Sequence, residues 1–166
     1  MKSRGLSMEN TKTDLMEKTG TVLLEQDVSA SQPAEIELDA VVDNLIRVQA
    51  FIDGYLEKIL CPDKSRLHID LAAEEIFVNI ASYAYAPAKG SVTVKIEVTE
   101  GPAVTITFID GGVPYDPLAK KDPDVTLSAE ARKIGGLGIF LTKKTMDHVS
   151  YEFRDGKNIL RMTKNI

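Results

Sequence analysis

Two periodicities divide this chain. Polar and apolar residues alternate along Glu35-Ile36-Glu37-Leu38, and Val92, Val94, Ile96 and Val98 then interleave with Ser91, Thr93, Lys95 and Glu97. Val104, Ile106 and Phe108 repeat the pattern into Asp110. A period of two places one set of side chains on one face, so each stretch predicts a half-buried strand. Lys89-Gly90 and Gly101-Pro102 turn the chain before and between the last two, which predicts an antiparallel hairpin. Val149–Phe153 and Ile159–Thr163 predict another around Asp155-Gly156, a preferred two-residue turn.

Elsewhere the spacing becomes helical. Val41, Leu45, Val48, Ile52, Tyr55 and Ile59 form one apolar stripe, with Asp39 as the expected N-cap and Cys61-Pro62-Asp63 as the break. A second helix is expected from Ser65 to about Tyr85, ended by Pro87, with Leu67, Leu71, Ala72, Ile76, Ile80 and Tyr83 available to the core. A third runs from Leu137 to about Asp147. Residues 111–134 hold Gly111, Gly112, Pro114, Pro117 and Pro123 and read as irregular; a loop of that length in a compact domain is often functional. The order β-α-α-β-β-loop-α-β-β predicts an α+β fold: a two-layer α/β sandwich, a mostly antiparallel mixed sheet with helices on one face. Residues 1–20 are polar and aperiodic, Thr21–Leu24 reads as a short strand, and Ser29–Pro33 reads as a linker. Residues 1–33 are therefore expected to be a flexible extension, with Met8 an alternative start, and residues 34–166 one domain.

Composition narrows the function classes. The 166 residues are 43% hydrophobic and 27% charged, with net charge −5 and pI 5.1. That balance argues against a broad nucleic-acid surface, which needs a basic face. The single cysteine, Cys61, excludes an internal disulfide, suits a reducing compartment, and reads as a small buried hydrophobe. No apolar run has the length of a membrane span and the N-terminus lacks a signal-peptide core, so a cytoplasmic protein is expected.

Three constellations carry candidate chemistry. In the first, Glu75 and Asn79 interrupt the second helix's apolar pattern four residues apart, as neighbours on one face. A carboxylate serves as a general base and an asparagine carbonyl is a hard oxygen ligand for Mg²⁺, although a solvated helix face accounts for the same pair. The second is Asp110-Gly111-Gly112, a carboxylate at a strand end beside closely approachable backbone. It can accept a hydrogen bond from an exocyclic amine such as adenine N6; a plain Asp-Gly turn is the blander account. The third, Gly135-Gly136-Leu137-Gly138-Ile139-Phe140, runs straight into a helix. The first amides of a helix lack intrahelical partners and lie at its positive end, which favours phosphate.

In this order the three boxes resemble the Bergerat-type ATP-binding fold of histidine kinases, DNA gyrase B and MutL. Within it the chain is most similar to the anti-sigma-factor serine/threonine kinases, the RsbW/SpoIIAB group. Glu74–Asn79, Asp110–Pro117, and Gly135–Phe140 with Met146-Asp147 carry the match, and the resemblance covers about residues 35–166. It implies that Asn79 holds Mg²⁺ on the ATP phosphates and that Asp110 binds adenine N6. Gly112 would keep the backbone clear of the base, Gly135, Gly136, Leu137 and Gly138 would cradle the phosphates, and residues 115–134 would form a lid. Glu75 would be the base for a partner's serine or threonine hydroxyl. The implied partners are a STAS-type anti-anti-sigma protein, a sigma factor or other target, and a second copy of the chain, met at the sheet edge near residues 35–38.

The pattern departs from the family at three places. Pro114 stands where the superfamily often has another glycine, Ile134 where SpoIIAB-like members have an arginine, and Asn158 where many have a threonine near the adenine pocket. Arg132 and Lys133 lie beside Ile134, and Lys120-Lys121 with Arg132-Lys133 read as solvated lid charges. The missing arginine keeps open a second class of function, a binding module that uses nucleotide to choose a partner without transferring phosphate. His68 and His148 are not placed as an autophosphorylated histidine would be, and Tyr83, Tyr85 and Met146 read as core.

Overall fold

The computed structural model describes residues 32–119, Asp122 and residues 137–166. Thr21–Leu24, Lys120, Lys121 and residues 132–136 lie outside them. Among the described residues five strands form one sheet: β1 (Ala34–Asp39), β2 (Ser91–Thr99), β3 (Ala103–Asp110), β4 (His148–Arg154) and β5 (Lys157–Asn165). Their order is β1-β2-β3-β5-β4 and every pairing is antiparallel. Three α-helices among the described residues accompany the sheet: α1 (Leu45–Lys58), α2 (Asp63–Asn79) and α3 (Leu137–Thr145). Both expected hairpins form, and the second closes through Asp155 and Gly156 at φ 53° and 73°, the pair of left-handed conformations that such a turn requires.

The alternation read in the sequence becomes continuous rows across the sheet. One row is Ile36, Val94, Phe108, Leu160 and Tyr151, and the next is Ala34, Ile96, Ile106, Met162 and Val149. Val48, Ile52 and Leu56 of α1 and Ile69, Ala72, Ala73, Ile76 and Phe77 of α2 join these rows in one core. Each large side chain fully buried there is worth about 1.5–3 kcal/mol. The opposite face carries Glu35, Lys95, Thr107 and Arg161, with Lys95 paired to Glu35 at 2.8 Å. Among the described residues the helices therefore cover one face, as the element order predicts.

Three expectations need correction. Asp39 does not cap α1. The amide of Ala40 donates to Gly90 O at 2.8 Å, which prolongs the sheet connection past Asp39 and delays the helix to Leu45, behind a 3₁₀ turn at Val42–Asn44. The core face of α2 is Ser65, Ile69, Ala72, Ala73, Ile76 and Phe77, while Leu67, Leu71 and Tyr83 are exposed. The small Ala72-Ala73 pair sits inside this stripe and gives a weak hydrophobic signal, so the larger leucines drew the phase toward themselves. The helix also continues into a π turn at Ile80–Ala84, whose wider repeat shifts the phase and sends Tyr83 outward. Cys61 is half-buried against the core, and burial pushes its thiol pKa up.

Candidate functional site

The last row of the covered face breaks the apolar rule. It runs Leu38, Val92, Asp110, Asn158 and Phe153, so two polar side chains stand where the neighbouring rows place Phe108 and Leu160. Asp110 is 5% exposed and Asn158 6%. A buried carboxylate needs donors, and Asp110 Oδ1 receives two: the Gly112 amide at 2.9 Å and Asn158 Nδ2 at 2.9 Å. Among the described residues both bonds fall on Oδ1, which leaves the acceptor capacity of Oδ2 for a donor in the site.

The turn after Asp110 is held from the helix side. The Gly111 amide donates to Tyr85 Oη at 2.7 Å, and that hydroxyl donates to Ser91 O at 2.6 Å. Burial raises the Tyr85 phenol, which keeps the proton it donates. The amide of Val113 donates to Ala84 O at 2.9 Å, the carbonyl that ends the π turn. A Cβ on Gly112 would lie 2.3 Å from the same carbonyl oxygen, so only glycine lets the turn dock here. The π turn thus joins the end of α2 to the Asp110 turn, linking the first and second boxes.

Glu75 links the first box to the third. Its neighbour Glu74 points the other way and accepts from Gln49 Nε2 of α1 at 3.3 Å. Glu75 lies against the first turn of α3, where a Cβ on Gly138 would come 1.7 Å from Oε2 and 2.2 Å from Cδ. That carboxylate therefore occupies the side of α3's N-terminal turn that glycine leaves open. Asn79 Nδ2 donates to Glu75 O at 2.7 Å, which commits the amide nitrogen and not Oδ1. Leu137 opens α3 and is 42% exposed. The expected phosphate glycines Gly135 and Gly136 lie outside the described residues.

Met146 is core as expected, Tyr83 is not, and Tyr85 is a hydrogen-bonding strut beneath Gly111. The sequence marks Asn158 only as a departure from threonine. Its position was nonetheless readable, because it shares the inward phase of Leu160 and Met162 on β5. Among the described residues there is no group of three or more His, Cys, Asp or Glu able to hold a metal ion, and no helix long and apolar enough to cross a membrane.

An antiparallel sheet covered on one face, with a carboxylate at a strand end and an acidic helix leaning on a glycine turn, defines a class. Residues 38–164 match the histidine kinase-like ATPase domain, and the chain belongs to that family. Within it the chain sits among protein kinases of the RsbW and BtrW kind. It is 30% identical over 116 residues to the serine/threonine-protein kinase BtrW of Bordetella bronchiseptica, covering 67% of this chain and 81% of that one. It is 30% identical over 103 residues to the serine-protein kinase RsbW of Listeria monocytogenes, covering 59% of this chain and 64% of that one. Its fold matches the crystal structure of the RsbU and RsbW domains of Rv1364c from Mycobacterium tuberculosis with a TM-score of 0.59. That match has 18% identity and covers 81% of this chain and 32% of the other, so it bears on the fold alone.

Proposed function

We propose that residues 34–166 form an ATP- and Mg²⁺-dependent kinase domain that phosphorylates a serine or threonine of a STAS-type anti-anti-sigma protein. In its other state it would hold a sigma factor. The observation that carries this reading is the contact of Glu75 with Gly138, which places a carboxylate beside the helix turn expected to receive phosphate.

The residues fit the nucleotide. Asp110 is a buried acceptor for an exocyclic amine, Gly112 and Gly138 leave room that a Cβ would fill, and Asn79 keeps Oδ1 for a hard cation. With no acidic cluster among the described residues, Mg²⁺ would rest on Asn79, on the phosphates it arrives with and on the waters this ion tends to keep. When bound it supplies charge neutralisation at the transferring phosphate. Glu75 would take the proton of the partner's hydroxyl as that oxygen bonds to the γ-phosphorus and the bond from phosphorus to the bridging oxygen of ADP breaks. Family kinship, the RsbW and BtrW similarity, and a pI of 5.1 that suits protein rather than nucleic-acid partners support the choice of substrate. A second copy would pair at β1, which among the described residues is an edge strand bonded to β2 alone.

The test is mass spectrometry of a cognate STAS protein after incubation with the kinase and ATP·Mg²⁺. A gain of one phosphoryl group is expected, lost in Glu75→Ala while ADP affinity is kept, and lost in Asn79→Ala together with Mg²⁺-dependent ATP binding. A wild-type protein that binds the partner in an ATP-dependent way yet transfers nothing refutes the kinase and leaves a nucleotide-dependent binding module. A monomer in light scattering at micromolar concentration with nucleotide refutes the β1 pairing.

A further inference from the structure

Asn158 makes more contacts than a strand residue filling a row requires. Its Nδ2 donates to Asp110 Oδ1 at 2.9 Å and Val113 O at 3.1 Å, with Gly112 O at 3.4 Å. Its Oδ1 accepts from the Tyr115 amide at 3.2 Å and from Tyr151 Oη at 2.7 Å. One side of the amide meets only acceptors and the other meets an N–H and a phenol, so its orientation is settled by chemistry. The burial that raises the Tyr151 phenol keeps it protonated as a donor. Five groups from β3, the segment after it, and β4 are thus joined through one side chain of β5.

The consequence falls on Asp110. A carboxylate rotates freely about its last torsion, and its two oxygens are equivalent until something distinguishes them. Here the Gly112 amide reaches Oδ1 from the turn just after the strand, two residues along the same chain segment. Asn158 donates to the same oxygen from a strand, so the plane of the carboxylate is fixed to the sheet. The other end of the Asn158 amide holds Tyr115, four residues before the 3₁₀ turn at Pro117–Ala119 ends.

We infer that Asn158 is a positioning residue for base recognition, fixing which oxygen of Asp110 meets the exocyclic amine and tying that choice to the loop at Tyr115. The inference rests on the reading that Asp110 meets the base. It names a selectivity for 6-amino over 6-oxo purine nucleotides that depends on Asn158, and a link by which an occupied base pocket steadies the segment after β3.

The test uses ADP and IDP, which differ at the 6-position, measured by calorimetry on the full chain. Wild type is expected to favour ADP by ~10-fold or more. Asn158→Ala is expected to weaken ADP by ~10-fold to ~100-fold, the range for losing a hydrogen bond to a charged group, with IDP little changed. A purely structural role would weaken both nucleotides equally, and that result overturns the inference. A discriminating wild type whose alanine form discriminates as well also overturns it, whereas a wild type that binds both alike removes Asp110 from base recognition altogether. Asn158→Thr keeps one donor for Asp110 and a β-branched carbon that suits a strand, so it carries the test should the alanine form not fold. In wild type ADP is expected to slow hydrogen exchange at the Tyr115 amide; the threonine form is expected to keep an ADP preference and to lose that protection. A threonine form with wild-type protection at Tyr115 overturns the link to the loop.

Discussion

Gly138→Ala isolates the contact between the first and third boxes. The added Cβ would stand 1.7 Å from Glu75 Oε2, 2.2 Å from Cδ and 2.9 Å from Cγ, whereas ordinary contacts begin at 3.4 Å. Oε2 must therefore retreat by about 1.7 Å. The obstructing atoms are the far end of a flexible side chain, so a new Glu75 rotamer relieves the clash at about 0.5–1.5 kcal/mol without moving α2. Replacing a helical glycine by alanine returns up to about 1 kcal/mol. The two nearly cancel, and Tm should stay within about 4 °C of wild type. Catalysis has no such compensation, since a base displaced by more than about 1 Å loses on the order of 10²-fold. The assay is a time course of partner phosphorylation at saturating ATP beside a thermal melt. A kcat within about threefold of wild type in the folded variant would refute the placement of Glu75 as the base, because misplacement that large cannot leave proton transfer untouched. A fall in Tm beyond ~10 °C would instead show that the contact holds the helices together.

Three further outcomes follow from the same geometry. Gly112→Ala sets a Cβ 2.3 Å from a backbone carbonyl rather than a mobile side chain; it should lose about 1–3 kcal/mol in chemical denaturation as well as ADP affinity. In Asp110→Asn, the two donors now on Oδ1 will hold the amide oxygen and turn its nitrogen toward the base; calorimetry should show ADP affinity reduced at least ~10-fold, and unchanged affinity would remove Asp110 from the site. Asp70 Oδ1 is buried and has no hydrogen-bond partner among the described residues, and its carboxyl is raised to about 6 by burial first and Asp53 second, with Arg66 opposing. A raised carboxyl binds its proton more tightly folded than unfolded, so it lowers stability fully above pH ~6 and not at all below pH ~4. Asp70→Asn should therefore unfold at higher denaturant than wild type at pH 7.5 and at equal denaturant near pH 4.

The strands were legible because alternation runs through most of their length and their turns carry glycine or proline. The sheet's one-sided cover followed from element order. What escaped was phase and contact. On α2 the leucines at 67 and 71 outweighed the alanines at 72 and 73, although the alanines face the core. No local pattern announces a π turn, so a regular helical repeat points Tyr83 inward where the structure turns it out. At the site the three boxes could be named from residue types, but Glu75 lying against Gly138 is a tertiary fact between distant segments. Asn158 was the nearer miss, since counting by twos from Met162 through Leu160 places it on the covered face.

The places where local rules fail fall together in space. Glu75 and Asn79 interrupt α2, the π turn interrupts its helical repeat, and Asp110 with Asn158 interrupts an apolar row. Gly112 and Gly138 are bare where the chain touches Ala84 and Glu75. Each departure costs stability on its own, since buried polar groups need partners and a wide helical turn packs less regularly. A sheet seeking only stability would carry another Phe and Leu where Asp110 and Asn158 stand. Their pairing at 2.9 Å satisfies the buried groups but gains little over an apolar pair, which leaves orientation of the carboxylate as what the row accomplishes. Scattered departures would suggest tolerance of poor packing; departures joined through Ala84, Gly112 and Asn158 mark one site.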